Sequence, residues 1–165
     1  MLWIACDHGG YPLKLLICEK LAELGVEYKD VGCDSEDIVR YPYYASMVAK
    51  AVSEGKISRG ILICSTGIGM SILANRYPRV RASLCITPFM GRMTREHNDS
   101  NILCLGGKIT ENDVALEILD KWLHTNYIGG RHDISLGLLR EAEEHIVSGR
   151  SWEPVIPPPA TSEKL

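Results

Sequence analysis

Gly60-Ile61-Leu62-Ile63-Cys64-Ser65-Thr66-Gly67-Ile68-Gly69-Met70 is the stretch that decides the fold. An unbroken apolar run, Ile61 to Cys64, passes straight into a polar, glycine-rich turn. A strand that is apolar at consecutive positions is covered on both faces, as strands of a parallel sheet are. The spacing then predicts a helix over Gly69–Tyr77, which stops before Pro78. Strand, turn and helix in that order make the first half of a βαβ unit.

The same grammar repeats outward from this stretch. Ile102-Leu103-Cys104-Leu105 is a second doubly apolar run. Strands are predicted at Leu2–Asp7, Val26–Gly32, Gly60–Ser65, Val80–Ile86 and Asn101–Gly106. Helices are predicted between and after them at Pro12–Leu24, Pro42–Gly55, Gly69–Tyr77, Pro88–His97, Asn112–Asn126 and Ile134–Val147. Two of these carry a proline at the start and a glycine at the end. The alternation indicates an α/β fold, a doubly wound sandwich with a parallel sheet, over one domain at residues 1–150. Residues 151–165 read as a tail. Pro154, Pro157, Pro158 and Pro159 exclude helix there and favour an extended path. Such a tail is either disordered or laid across a neighbouring subunit, with Trp152 as an anchor.

Composition narrows the function. The chain has 165 residues, 45% hydrophobic and 24% charged, with a net charge of -3. That leaves no broad basic field for a nucleic-acid partner. No apolar run approaches the roughly 20 residues that span a bilayer, so no membrane partner is expected. The start, Met1 to Gly10, reaches a charge early and lacks a basic n-region, which points to the cytoplasm. Six cysteines are present, Cys6, Cys18, Cys33, Cys64, Cys85 and Cys104. None forms a C-x-x-C pair or has metal-ligand spacing with histidine, so no metal is expected. Apart from Cys64, they read as small buried hydrophobes in a reducing compartment.

In open α/β sheets, ligands bind beyond the carboxyl ends of the strands, where strand order reverses. The residues that fall there are Asp7, His8, Gly9 and Gly10 after the first strand, and Cys64 to Gly69 after the third. Gly106, Gly107 and Lys108 follow the fifth. Glycines at a strand-to-helix turn let backbone N–H groups approach an anion, although a lone G-x-G serves a plain tight turn equally well. Neither a Walker A loop nor the full G-x-G-x-x-G fingerprint is present, which disfavours a nucleotide site. Asp7 has a plain alternative as a helix N-cap. His97, taken alone, reads as a surface histidine at a helix C-terminus.

Five motifs occur in order: Asp7-His8-Gly9-Gly10, Tyr41-Pro42, Cys64 to Ser71, Arg95-Glu96-His97-Asn98-Asp99, and Gly129-Gly130-Arg131-His132. Together, over about residues 2–148, they resemble the family of type B ribose-5-phosphate isomerases and galactose-6-phosphate isomerase subunits. The resemblance implies a Rossmann-like αβα sandwich with a mainly five-stranded parallel sheet. It implies a dimer or tetramer whose active sites are shared between subunits, with no cofactor. It also implies interconversion of aldose and ketose phosphates through a cis-enediolate. By the same resemblance, Cys64 is the catalytic base of the cysteine-using branch. The glutamate of the other branch would fall at Met70, which cannot move a proton. His97 assists ring opening, and Thr66 stands near the substrate oxygens. Asp7, His8, Tyr41 and Asn98 hold the sugar, and Lys108 and Arg131 serve the phosphate.

The chemistry suits these residues. A base must come within about 3 Å of the carbon-bound proton. A cysteine thiolate can serve where a helix N-terminus and backbone N–H groups favour the charged sulfur. The amides of the Gly67–Ser71 turn, with Gly67, Ile68, Gly69 and Ser71, are placed to face an enediolate oxygen, as in an oxyanion hole, and Ser65 is a further substrate-binding candidate.

Two positions depart from the family pattern. Ser135 stands where a second phosphate-binding arginine is common, and Arg40 where an acidic residue often precedes the tyrosine. Either Arg40 restores the missing cation from another direction, or the site suits a different sugar phosphate. The missing arginine also leaves open a phosphosugar-binding, non-catalytic subunit of a hetero-oligomeric isomerase.

Overall fold

The computed structural model describes residues 1–157. Five strands form the sheet: β1 (Leu2–Cys6), β2 (Tyr28–Asp30), β3 (Gly60–Cys64), β4 (Ala82–Leu84) and β5 (Ile102–Gly106). They pair in the order β2-β1-β3-β5-β4, all parallel. The helices are α1 (Tyr11–Glu23), α2 (Tyr41–Ser53), α3 (Ile68–Ala74), α4 (Pro88–Asn98), α5 (Asn112–His124) and α6 (Arg131–Val147). This is the αβα sandwich expected from the alternating pattern.

Alternation along the central strands divides the core in two. Ile4, Cys6, Ile61, Ile63, Leu103 and Leu105 face α1 and α5 through Leu13, Ile17, Leu21, Ile118, Leu119 and Trp122. Ala5, Leu62, Cys64, Ile102 and Cys104 face α2 and α3 through Val48, Ala49, Val52, Met70 and Ala74. Both faces of β3 and β5 are buried, which is why those runs carry no polar residue. α4 packs on α5, where Gly91 lies so close to Ile118 that an added Cβ would come within 2.9 Å of its carbonyl oxygen.

The edges of the sheet differ from the sequence expectation. β2 and β4 keep three residues each, because edge strands pair on one side only and are partly solvated. Cys85 therefore lies just past β4, though still buried. Helix α3 ends at Ala74 rather than Tyr77. The Asn75 amide donates to Ser71 O at 3.0 Å and Ala82 O at 2.8 Å, while its Oδ1 accepts from Ala82 N at 2.9 Å. This side chain closes the helix and pins β4 at once. Helix α6 begins at Arg131 rather than Ile134, directly after Gly129 and Gly130, which take φ of +65° and +63°. Cys18 is half-buried rather than buried. Residues 151–157 form neither helix nor strand, and the rest of the expected tail lies outside the described residues. Among the described residues, no helix is long and apolar enough to cross a membrane.

Trp122 is the largest fully buried side chain, and its indole N–H donates to Ser100 Oγ at 2.8 Å. Replacing it with alanine leaves a cavity under α5 and an unpartnered Ser100. Trp122→Ala is expected to cost about 3–5 kcal/mol, read as a lower urea midpoint at unchanged m-value; an unchanged midpoint would contradict this packing.

Candidate active site

The reversal of strand order lies between β1 and β3. Asp7 leaves the end of β1 and Cys64 ends β3, so the two flank the switch point. Asp7 Oδ1 accepts from Gly9 N at 2.9 Å and caps the short 3-10 turn His8–Gly10. The N-cap reading of Asp7 therefore holds, at the switch point itself. His8 Nδ1 lies 3.1 Å from Val39 O and 3.3 Å from Val39 N. That contact ties the first turn to the segment carrying Arg40 and Tyr41 at the start of α2.

Three loops meet closely here. Gly107 N donates to Cys64 O at 2.7 Å, and Lys108 N donates to Ser65 O at 3.0 Å. A Cβ on Gly10 would lie 2.6 Å from Ile63 O, and one on Gly107 would lie 2.7 Å from Gly9 O. Only glycine permits backbones to approach this tightly. Tyr41 lies over the third loop, where a Cβ on Gly69 would sit 2.9 Å from the phenol ring.

Cys64 is distinguished by its donor. Gly67, in the left-handed conformation with φ of +74°, turns its N–H onto Cys64 Sγ at 3.1 Å. This N–H occupies a lone pair of the sulfur and fixes its position at the strand end. Thr66 Oγ1 accepts from Ile68 N at 3.4 Å, and Ser71 donates its hydroxyl to Ile68 O at 2.9 Å. Cys64 is itself buried, and burial holds four other thiols protonated, raising Cys6, Cys18 and Cys104 and pushing Cys85 up to about 12. Met70 is fully buried in the core, away from any reacting proton.

One edge of the sheet thus gathers Asp7, His8, Tyr41, Cys64, Ser65, Thr66, Gly67, Ile68, Gly69, Ser71 and Lys108. His97, Asn98 and Arg131 are not among them. His97 is in the last turn of α4, which leads into the start of β5, and Ser100 N donates back to Thr94 O at 3.1 Å. The first residue of β5, Ile102, pairs with Gly60, whereas Cys64 pairs with Gly106. Four residues of strand separate those levels, roughly 13 Å. His97 and Cys64 of one chain stand at opposite edges of the sheet.

At that second edge, Ile128 N donates to Glu96 O at 3.1 Å and brings the start of α6 to the end of α4. Arg131 opens α6. Asn98 is exposed beside a groove of about 900 Å³ lined by Arg79, Arg81, Tyr127, Leu139 and Ile146 among others. The residue that sequence reasoning missed is His132. Its ring stacks on His97 with centroids 4.1 Å apart and planes 12° apart. The adjacent Arg131 was the available signal, but nothing in the sequence shows that α4 and α6 meet there.

Cys64 should react ahead of the more deeply buried Cys6, Cys85 and Cys104 in the folded protein. One equivalent of iodoacetamide is expected to label Cys64, with Cys6, Cys85 and Cys104 unlabelled until denaturation, as read by peptide mass spectrometry. Equal label on all six cysteines would contradict this environment.

A family model described as Ribose/Galactose Isomerase matches residues 2–138. Ribose-5-phosphate isomerase B of Escherichia coli (strain K12) is 46% identical over 127 residues, covering 77% of this chain and 85% of that protein. The structure of ribose-5-phosphate isomerase B from Clostridium thermocellum superposes with a TM-score of 0.84 at 45% identity, covering 87% of this chain and 97% of that one. Ribose-5-phosphate isomerase B from Mycoplasma genitalium, solved with bound ribulose-5-phosphate, gives a TM-score of 0.83 at 32% identity, covering 87% and 95%. Sequence and fold thus agree over nearly the whole length of these relatives, and the chain belongs to the Ribose/Galactose Isomerase family.

Proposed function

We propose that this chain is a sugar-phosphate isomerase that interconverts ribose 5-phosphate and ribulose 5-phosphate. Cys64 Sγ takes the proton from C2 of the open-chain aldose to form a cis-enediolate; the C2 hydroxyl gives up its proton and O1 takes one up, and C1 receives the proton from sulfur as the carbonyl forms at C2. The observation that carries this reading is the Gly67 N–H aimed at Cys64 Sγ at 3.1 Å, at the end of a strand beside the switch point. The first-turn amides of Gly69 and Met70 at the start of α3 are left to the enediolate oxygens, with Thr66 beside them. Asp7, His8 and Tyr41 bind the sugar from the same edge.

The remaining parts come from a second copy of the chain. His97 opens the sugar ring, Asn98 binds the sugar, and Arg131 meets the phosphate together with Lys108. α6 supports this assembly. It buries only Ala142 within the chain and exposes Ile134, Leu138, Leu139, Ile146 and Val147. A helix with so much bare apolar surface calls for a partner, and a second copy is the simplest symmetric one. A homodimer, or a tetramer built from it, then forms two shared sites in the cytoplasm.

Ser135 lies one turn beyond Arg131 and supplies no second guanidinium. Arg40 is exposed at the start of α2, on the Cys64 edge beside His8, where it can supply the cation instead. The missing arginine favours one second reading, a binding subunit that needs a different catalytic partner.

The purified chain alone separates the two readings. It is expected to turn over ribose 5-phosphate, and Cys64→Ala is expected to abolish solvent exchange at C2 while still binding the sugar phosphate. Wild-type exchange by Cys64→Ala would refute the proposed base. Binding without turnover by the unmodified chain would favour the subunit reading.

A further inference from the structure

The His97–His132 stack lies outside the roles assigned above. The two rings are nearly parallel, 12° apart, at a centroid distance of 4.1 Å. His132 is half-buried, and its Nε2 is covered and makes no hydrogen bond among the described residues. A covered nitrogen without a partner is far cheaper on a neutral imidazole than on an imidazolium. We propose that His132 is a positioning residue for ring opening, holding the His97 ring in one plane.

The surroundings agree. Burial, His97 and Arg131 all oppose a charge on His132, and only Asp133 favours one. Asp133 is itself engaged, accepting from Tyr127 OH at 2.8 Å. On the α4 side, Glu96 is 3.7 Å from Arg92, and Asp99 is paired with Arg95 and Arg81 at 2.8 and 2.9 Å. The nearby carboxylates thus have other partners, and two imidazolium rings at this spacing would repel each other.

This inference rests on the proposed role of His97. In ring opening, the bond from C1 to the ring oxygen breaks. The C1 hydroxyl gives up its proton as the carbonyl forms, and the ring oxygen takes one up. His97 can relay that proton only if its ring is held at the angle the sugar requires. Ribulose 5-phosphate skips this step: its C5 oxygen carries the phosphate and cannot close a five-membered ring.

That difference provides the test. His132→Ala is expected to slow turnover of ribose 5-phosphate by about tenfold or more, the scale expected of a misplaced catalytic group. The same variant should retain near wild-type wash-out of deuterium from C1 of ribulose 5-phosphate, followed by NMR. His132→Phe restores a flat ring without a titrating nitrogen and is expected to recover most of the ribose 5-phosphate rate. Wild-type turnover by His132→Ala, equal loss of both readouts, or no recovery in His132→Phe would each overturn the proposal. His97→Ala is the control, because full ribose 5-phosphate turnover by that variant would defeat the assignment of His97 itself.

Discussion

A parallel sheet has a direction, and everything at this site follows from that. All five strands point the same way, so every strand end and every following turn lies on one edge. Helices α1 to α5 run back, so their ends lie on the other. Cys64 belongs to a strand end and His97 to a helix end. An α-helix of the 11 residues of α4 is about 16 Å long, enough to carry its last turn the height of the sheet. Within one copy, Cys64 and His97, the proposed base and the proposed ring-opening group, are kept apart by the architecture that places each of them.

Rigidity at the first edge comes from backbone packed on backbone. Gly10 lies against Ile63 and Gly107 against Gly9, so the loops after β1, β3 and β5 form one surface. Buried Lys14 pairs with the exposed Asp30 carboxylate at 2.6 Å and also donates to Cys33 O at 2.6 Å, which ties α1 to the β2 edge behind it. The second edge is built differently. Its helix α6 rests on α4 and leaves its apolar residues in the open. A firm half-site on one side and an arm with exposed apolar residues on the other suit two copies that complete each other.

Much of this was legible in the sequence, for identifiable reasons. The doubly apolar runs at Ile61–Cys64 and Ile102–Leu105 mark central strands because burial on both faces leaves no room for polar residues. The edge strands were overextended because solvation on one side, not hydrophobicity, sets their length. Helix α3 was overextended because its stop is a tertiary one, Asn75 reaching to Ala82. Cys64 was separable from the other cysteines because it ends a strand directly before a glycine turn and a helix start, and because the resemblance singles out that position. The role of His97 came through resemblance, since alone it looks like any surface histidine. His132 stands in the Gly129–His132 motif, but its stacking on His97 was invisible, because the contact between α4 and α6 is not encoded by spacing in either helix.

Co-expressing Cys64→Ala with His97→Ala measures the central claim most directly. Each variant alone should be inactive on ribose 5-phosphate. Random pairing makes half of the dimers mixed, each with one intact site, so activity should return to about a quarter of wild type. No recovery above the separate variants, in dimers shown to be mixed, would mean that Cys64 and His97 do not meet across two copies.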